Sequence, residues 1–338
     1  MDHRTLGRTG VAVSPLCLGT MMFGSWGNAD EADSIRVIHR ALDAGINFVD
    51  TADVYSGGQS ERIVGKALAG RRDGVVLATK FFMPMDDEPN HHGGSRRWII
   101  REVEASLRRL GTDYIDLYQV HRPSPETDVE ETLSALTDLV RAGKVRYIGS
   151  SSYAASQIVE AQWVAHDRHL QRFVTEQPPY SILVRGIELD VLPTAQRHGM
   201  GVLTYSPLAG GWLSGRWRRD AVGKPTSSAR PSARFDMSSP SNQHKLEVVE
   251  ELVQLAAEAG LTLIELALAF VVNHPAVTSA IVGPRTMEQL ESQLPAADVT
   301  LGADLLDRID QLVAPGVTLN PDDNSYGDTE LQPAARRR

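Results

Sequence analysis

The sequence predicts a closed (β/α)8 barrel. After a short amino-terminal hairpin, eight apolar strand segments alternate with helical segments, which is typical of α/β folds. Several of these strands are apolar on both faces, as expected for parallel strands that are buried under helices. A doubly wound sheet is disfavoured because it needs a G-x-G-x-x-G turn after its first strand, where this chain has "GTMMFG". We expect residues 1–338 to form a single barrel domain.

Each element is predicted from its apolar spacing. The hairpin is predicted from strand-like residues on either side of a turn at residues 7–10. The eight predicted strands cover residues 16–18, 47–50, 75–80, 114–121, 145–152, 173–177, 201–207 and 279–284. The predicted helices cover residues 31–44, 60–68, 96–110, 125–143, 154–167, 186–199, 243–259, 262–273, 287–294 and 301–313. A long polar loop is predicted over residues 210–240, and an irregular carboxyl-terminal tail over residues 314–338.

Composition excludes several classes of function. The formal net charge of −9 argues against nucleic-acid binding, which needs a basic face. The single cysteine, Cys17, excludes an intrachain disulfide and indicates a reducing compartment. No apolar run approaches the roughly 20 residues of a membrane span. We therefore expect a cytoplasmic protein that acts on a small molecule, with homo-oligomerisation left open.

Polar side chains end five successive predicted strands. They are Asp50, Lys80, His121, the pair Ser151 and Ser152, and Gln177. In barrels of this kind the active site lies at the carboxyl ends of the strands. Alternation puts Lys80 and His121 on the same face as apolar residues of their strands, which we take to be the inward face. We expect Asp50, Lys80 and His121 to converge there, with the short loop after Asp50 bringing Tyr55 over the same mouth.

These four residue types suit the reduction of a carbonyl group. A lysine held against a carboxylate stays protonated, and a cation beside a phenol favours the phenolate, so we expect Lys80 to lower the pKa of Tyr55. A phenol tuned in this way is a good general acid for an oxygen that gains negative charge. His121 can donate a second hydrogen bond to that oxygen. Because no side chain supplies hydride, the set implies a nicotinamide cofactor.

Three motifs resemble those of the aldo-keto reductase family. They are "NFVDTADVYSGGQSERIVGKAL", "LATK" and "DLYQVHRP". The resemblance implies that Asp50, Tyr55, Lys80 and His121 form a catalytic tetrad. It extends over nearly the whole chain, and it implies NADPH-dependent reduction of aldehydes or ketones on a (β/α)8 barrel. The preference for NADPH over NADH depends on this resemblance and on Arg285, which the family pattern places against the 2′-phosphate.

The same resemblance implies the cofactor contacts. The pair Ser151 and Ser152, with Gln177, would hold the nicotinamide amide, although the family often has Ser-Asn at the pair. Tyr205 would stack under the ring. The segment over the pyrophosphate would contain Ser206, Pro207, Leu208, Gly210 and Gly211. The clamp for the 2′-phosphate and adenine would contain Gly283, Arg285, Thr286, Gln289 and Gln293. Further cofactor contacts are expected from Gly19, Thr20, Met21 and Asp50.

The substrate pocket is less defined by the sequence. Apolar residues near the predicted mouth are candidates for its wall, with core or lid packing as the alternative: Met22, Trp26, Phe81, Trp98 and Trp212. Two other functions were weighed. One is a nucleotide-sensing regulatory subunit, because potassium-channel β subunits resemble the same family. The other is a metal-dependent hydrolase with Asp50 and His121 as ligands, which Lys80 disfavours by placing a cation between them; no metal is expected.

Overall fold

A computed structural model of the chain describes residues 1–219, 233–324, 326 and 333. The remainder of the predicted loop 210–240 and of the predicted tail 314–338 lies outside the described residues. Eight parallel strands close into a barrel, and two further strands form an antiparallel amino-terminal hairpin, so the predicted fold class is confirmed. The hairpin strands are β1 (Arg4–Thr5) and β2 (Ala12–Val13). The barrel strands are β3 (Leu16–Gly19), β4 (Phe48–Asp50), β5 (Val76–Phe81), β6 (Ile115–Val120), β7 (Val145–Ser151), β8 (Thr175–Gln177), β9 (Gly201–Thr204) and β10 (Ser279–Val282).

The barrel closes by pairing of β10 with both β3 and β9. Helices cover its outside. In chain order they are α1 (Glu31–Asp43), α2 (Gln59–Leu68), α3 (Arg96–Leu110), α4 (Val129–Arg141), α5 (Ala155–Asp167), α6 (Val191–His198), α7 (Pro240–Glu258), α8 (Leu263–Asn273), α9 (Met287–Gln293) and α10 (Ala303–Leu312).

A small apolar cluster fills the inside of the barrel. Its strand members are Cys17, Phe48, Ala78, Leu117, Leu203 and Ile281. Leu6 and Val13 of the hairpin belong to the same cluster. A side chain at Gly7 would lie 2.7 Å from the backbone nitrogen of Gly201, so the hairpin turn sits directly against the start of β9. The hairpin therefore closes the amino-terminal end of the barrel and leaves the carboxyl ends of the strands for chemistry.

The predicted element ends differ from the observed ends where capping residues intervene. Helix α4 begins at Val129 because the side chain of Asp128 caps it, four residues after the predicted start. Helix α7 begins at Pro240, a residue that suits the first turn of a helix. The region predicted as a loop from residue 210 contains short 3-10 turns at Ala209–Ser214 and Ala233–Phe235.

Part of the carboxyl-terminal segment is pinned to the barrel. The backbone N–H of Arg185 donates to the carbonyl of Val317, and that of Leu319 donates to the carbonyl of Leu183. The guanidinium of Arg185 also donates to Asp310 and to the carbonyl of Val313. Over the described part of the chain, no single helix has the length and apolar composition of a membrane span. Helices α7 and α8 reach that length and composition only as a pair, and the pair is bent by 91°.

Candidate active site

Two strand-end side chains form a buried ion pair. Lys80 Nζ donates to Asp50 Oδ1 at 2.5 Å and to the carbonyl of Thr51 at 2.8 Å. Asp50 ends β4, and Lys80 lies near the end of the neighbouring strand β5. Both side chains are almost completely buried. Because a buried ammonium is stable only when it is paired and hydrogen-bonded, this arrangement holds Lys80 in one place.

Tyr55 reaches the ion pair from the loop after β4. The backbone N–H of Asp53 donates to the carbonyl of Lys80, and the Asp53 carboxylate accepts from the N–H of Val54. These bonds fold the loop back over the strand ends, and a 3-10 turn begins at Tyr55. The phenol oxygen of Tyr55 accepts a hydrogen bond from Lys80 Nζ at 3.4 Å. The ammonium is therefore at hydrogen-bond distance from both the carboxylate and the phenol.

His121 lies beside the phenol. It follows β6 directly, and its backbone N–H donates to the carbonyl of Phe81. Its ring is 5.9 Å from the ring of Tyr55, measured between centroids, in an edge-to-face arrangement. Burial lowers the pKa of His121 well below its usual value, and the charges of Lys80 and Arg122 lower it further. The imidazole is therefore neutral and carries one N–H donor.

The electrostatics of Tyr55 correct one expectation. Burial raises the pKa of Tyr55 above its usual value, and the opposing effect of Lys80 does not reverse this. Lys80 does act to lower the pKa of Tyr55, but the prediction of a lowered pKa is wrong for the net shift, because desolvation of the phenolate outweighs the charge interaction. Burial also acts to lower the pKa of Lys80, but the charges of Asp50 and Tyr55 prevail and raise it above its usual value.

Two glutamines complete the support of Asp50. Gln177 Nε2 donates to Asp50 Oδ2 at 2.9 Å, and Gln119 Nε2 donates to the same oxygen at 3.2 Å. Sequence reasoning placed Gln119 on the inward face of its strand but gave it no role. The signal was available, because a polar residue two positions before His121 on an inward face must find a partner inside the barrel.

A cavity of about 610 Å3 opens at this end of the barrel. Tyr55, His121 and Asp50 line it. So do all the residues expected from the family pattern to contact the cofactor, except Ser152 and Thr286. Ser152 lies behind the lining, with its hydroxyl 3.1 Å from the phenol oxygen of Tyr205. The side chain of Thr286 instead caps α9 by accepting from the N–H of Gln289.

The apolar candidates for the substrate wall fall into two groups. Trp26 is half exposed, and its ring lies 6.1 Å from that of Tyr55, while Met22 lines the cavity. Three others lie in the hydrophobic core and do not line the cavity: Phe81, Trp98 and Trp212. The ring of Phe81 packs against Tyr118 at 4.8 Å, that of Trp98 stacks on His91, and that of Trp212 stacks on Trp217.

Several lining residues were missed by sequence reasoning. Among them are Arg122, Ser214, Arg216, Trp217, Arg234 and Phe235. Arg122 directly follows His121 in the sequence, so its position alone could have predicted that it lies at the cavity. The other five belong to the region predicted as a polar loop, where no apolar period marks which side chains turn inward. Among the described residues that line the cavity, Asp50 is the only acid, and no group of three metal-ligating side chains occurs in the described part of the chain.

Comparison with known proteins defines the family. A sequence model described as "Aldo/keto reductase family" matches residues 15–314. The chain is 42% identical over 317 residues to the uncharacterized oxidoreductase YrpG of Bacillus subtilis, across 90% of this chain and 94% of that protein. It is 37% identical over 297 residues to the aldo-keto reductase YhdN of the same organism, across 86% and 87% of the two chains. The chain belongs to the aldo/keto reductase family.

Membership in this family also gives the class of reaction. The protein is an oxidoreductase that uses a nicotinamide cofactor to reduce carbonyl groups of small molecules. The chain is also 36% identical over 328 residues to a probable voltage-gated potassium channel subunit beta of Arabidopsis thaliana, across 93% of this chain and 97% of that protein. The chain is therefore similar in sequence to proteins named as enzymes and to a protein named as a channel subunit.

Proposed function

We propose that the enzyme reduces aldehydes or ketones with NADPH and that Tyr55 donates the proton. The observation that carries this proposal is the 3.4 Å contact between the Tyr55 phenol and Lys80 Nζ beside the cavity. A phenol at the rim of a cavity can reach a carbonyl oxygen, and an adjacent ammonium stabilises the phenolate that remains after proton transfer.

The protonation states support each role. The raised pKa of Tyr55 keeps the phenol protonated at neutral pH, which a proton donor requires. The raised pKa of Lys80 keeps its ammonium charged while Asp50 holds it in position. The neutral imidazole of His121 offers an N–H to the carbonyl oxygen without competing for the proton. A bound reduced nicotinamide supplies the hydride.

The lining residues fit such a cofactor. Ser151 and Gln177 offer polar groups to a carboxamide, and Tyr205 offers an aromatic face. Gln293 Oε1 is buried and has no hydrogen-bond partner among the described residues, and the same glutamine lines the cavity. Such an acceptor suits the exocyclic amine of adenine.

The choice of NADPH over NADH depends on Arg285. This arginine lines the cavity, and its backbone is held on both sides. Its N–H donates to Gln289 at 2.8 Å, and its carbonyl accepts from Asn28 at 2.9 Å. A guanidinium on a fixed backbone is well suited to a phosphate group. These contacts support a preference for the cofactor with a 2′-phosphate.

The test is Tyr55→Phe, assayed with NADPH and an activated aldehyde such as nitrobenzaldehyde. We expect kcat to fall by about two to four orders of magnitude, which is the usual contribution of a positioned general acid. The dissociation constant for NADPH should stay within about twofold of the unaltered enzyme, because the ring and its packing remain. If the variant retains most of its turnover, Tyr55 is not the proton donor.

A nucleotide-sensing regulatory subunit is the second candidate, favoured by the similarity to a probable potassium channel subunit beta. The same assay separates the two functions. Steady consumption of NADPH over many turnovers supports an enzyme, whereas a single slow turnover per protein supports a sensor. We further propose a cytoplasmic location, supported by a single cysteine that is buried inside the barrel.

A further inference from the structure

The loop between β3 and α1, residues 20–30, is folded tightly upon itself. The backbone N–H of Asn28 donates to the carbonyl of Met22 at 2.7 Å, and the carbonyl of Asn28 accepts from the N–H of Gly24 at 2.8 Å. A side chain at Gly27 would lie 2.5 Å from the Met22 carbonyl oxygen, so the turn packs closely against its own backbone. Asn28 therefore occupies a fixed place near the end of this loop.

The β3–α1 loop is also anchored to the segment that follows Tyr55. The backbone N–H of Ser25 donates to Gln59 Oε1 at 3.0 Å, and that of Trp26 donates to Ser56 Oγ at 3.1 Å. These two bonds attach the loop to the chain beside the proposed proton donor. Because none of them involves the side chain of Asn28, the loop keeps its anchor when that side chain is removed.

The side chain of Asn28 joins this loop to a residue 257 positions away. Its Nδ2 donates to the carbonyl of Arg285 at 2.9 Å and to Asp33 Oδ2 at 2.7 Å. Its Oδ1 accepts from the backbone N–H of Asp30 at 3.1 Å. Because the nitrogen of the amide meets two acceptors and its oxygen meets a donor, the amide can take only one orientation. Every polar group of Asn28 is therefore hydrogen-bonded.

Arg285 is held by its backbone, from two separate elements. Its N–H donates to Gln289 Oε1 of α9 at 2.8 Å, and its carbonyl accepts from Asn28 of the β3–α1 loop. These bonds fix the peptide groups on both sides of the Arg285 Cα atom, while the residue itself lines the cavity. A side chain on a backbone that is already fixed loses less conformational freedom when it binds a ligand. The two bonds therefore prepare Arg285 for a phosphate group.

We propose that Asn28 is a positioning residue for cofactor selection: its amide holds the backbone of Arg285 where the guanidinium binds the 2′-phosphate of NADPH. This inference rests on the proposed use of NADPH. Asn28 itself does not line the cavity, so it acts through Arg285. The preference for NADPH over NADH then depends on the β3–α1 loop as well as on the segment that carries Arg285.

The test compares the dissociation constants of NADPH and NADH, measured by protein fluorescence without any carbonyl substrate. For Asn28→Ala we expect about fivefold weaker binding of NADPH, the factor that corresponds to one neutral hydrogen bond. Binding of NADH should stay within about twofold of the unaltered protein, since NADH has no 2′-phosphate for Arg285 to bind. Two isomeric fragments should show the same contrast, with weaker binding of 2′-AMP and unchanged binding of 5′-AMP.

A double-mutant cycle tests whether Asn28 acts through Arg285. In an Arg285→Gln background the guanidinium is absent, so we expect Asn28→Ala to weaken NADPH binding no further. Two independent effects would instead add, and additive losses would contradict the positioning role. Equal losses of NADPH and NADH affinity in Asn28→Ala alone would overturn the proposal as well, because they would show that the amide only supports the fold.

Asn273→Ala is the matched control. Asn273 Nδ2 also donates to two acceptors, the carbonyls of Ala269 at 2.7 Å and Val299 at 2.9 Å, and its side chain is also partly buried. Asn273 does not line the cavity, and neither of its partners does. We expect Asn273→Ala to leave the dissociation constants of both cofactors unchanged. A selective loss of NADPH affinity in this variant would mean that destabilisation alone produces the effect, and it would refute the proposal.

The remaining outcomes separate this inference from the proposed function. If Asn28→Ala fails to fold, Asn28→Ser decides, because its hydroxyl keeps a polar group in the turn but lies one bond nearer the backbone than Nδ2; unchanged NADPH binding in that variant refutes the inference. If the unaltered protein binds neither NADPH nor NADH, the proposed function fails and this inference fails with it. If Arg285→Gln weakens NADPH binding selectively and the Asn28 variants do not, the inference alone is refuted.

Discussion

The rim and the cover of the cavity differ in how their functional side chains are held. The rim is the site where Asp50, Tyr55, Lys80 and His121 meet, and the cover consists of the cavity-lining segments 208–217 and 233–235. At the rim, Lys80 and Asp50 are buried on strands, and Asp50 has three side-chain donors. In the cover, Arg216 is exposed and Arg234 is partly exposed, and both lie outside regular helices and strands. The ion pair that supports the proposed proton donor thus belongs to rigid strands, whereas the cations of the cover belong to loops. A substitution in the buried Lys80–Asp50 pair should therefore affect rate and folding together, whereas one at an exposed cation of the cover should change stability little.

Lys80→Met tests the rim most severely. Removing the ammonium leaves the buried carboxylate of Asp50 without its counter-ion and Tyr55 without its cation. We expect kcat to fall by about two to four orders of magnitude. We also expect the free energy of unfolding to fall by about 3 to 5 kcal/mol, as for other broken buried ion pairs. Single-turnover kinetics and urea unfolding measure the two effects.

The matched control for Lys80→Met is Lys66→Met. Lys66 also pairs with a carboxylate, Glu31, at 2.7 Å, but its side chain is 58% exposed. We expect a loss of less than about 1 kcal/mol and no change in kcat. Equal destabilisation by the two substitutions would mean that burial does not distinguish the rim from the surface.

A second buried charge on the barrel strands, Glu176, is tested through pH by Glu176→Gln. The Glu176 carboxylate is fully buried in β8, where it accepts from Ser150 Oγ at 2.5 Å and from the N–H of Tyr153 at 3.1 Å. Burial raises the pKa of Glu176 to about 8, and these hydrogen bonds oppose the shift only in part. The folded protein therefore keeps this proton at pH values where the unfolded chain has lost it.

The sign of the effect follows from that difference. Stability contributed by the Glu176 proton is complete below the unfolded pKa, about 4.3, and is lost as pH rises toward about 8. We expect the free energy of unfolding of the unaltered protein to fall by a few kcal/mol over this range relative to Glu176→Gln, which has no such proton. Urea unfolding at several pH values measures the difference, and parallel curves for the two proteins would contradict the burial argument.

Arg285→Gln examines the nucleotide side of the comparison. We expect the dissociation constant for NADPH to rise about tenfold or more while that for NADH changes little, because only NADPH offers the 2′-phosphate. The free energy of unfolding should change by less than about 0.5 kcal/mol, as for most surface substitutions. Arg40→Gln is the control, since Arg40 of α1 pairs with Glu291 of α9, the helix that follows Arg285, but does not line the cavity. Equal losses of NADPH and NADH affinity would mean that Arg285 does not bind the 2′-phosphate.

The rim was accessible to sequence analysis because strand alternation is a strict rule. Lys80 and Gln119 share the inward direction of their strands, and a polar residue on such a face must meet others at the barrel mouth. The same rule argues against Phe81 as a pocket residue, since it is the next residue after Lys80 and so points outward, where it packs against Tyr118. The prediction for Phe81 did not apply the alternation rule that placed Lys80 on the inward face.

The cover was not accessible in the same way. Trp217 and Phe235 stack through Trp212 across a loop, and no local period encodes contacts of that kind. The pairing of Asp323 with Arg234 spans 89 residues, so it depends on the completed fold. The pKa of Tyr55 was mispredicted for a related reason. The sequence supplied the neighbouring cation, but the degree of burial that outweighs it is a property of the packed structure.

The smallest expected effect comes from His121, and it tests whether burial keeps its imidazole neutral. An ordinary histidine titrates near pH 6.5, and protonation of a carbonyl-orienting imidazole would change the rate there. Burial, together with the charges of Lys80 and Arg122, lowers the pKa of His121 well below that value. We therefore expect kcat/KM for carbonyl reduction to show no inflection as pH falls through about 6.5. His121→Gln, which keeps an N–H donor but cannot titrate, should give a profile of the same shape at a lower rate. An inflection near pH 6.5 that disappears in His121→Gln would mean that His121 takes up a proton in this range, and it would refute the conclusion that burial and the charges of Lys80 and Arg122 keep the imidazole neutral.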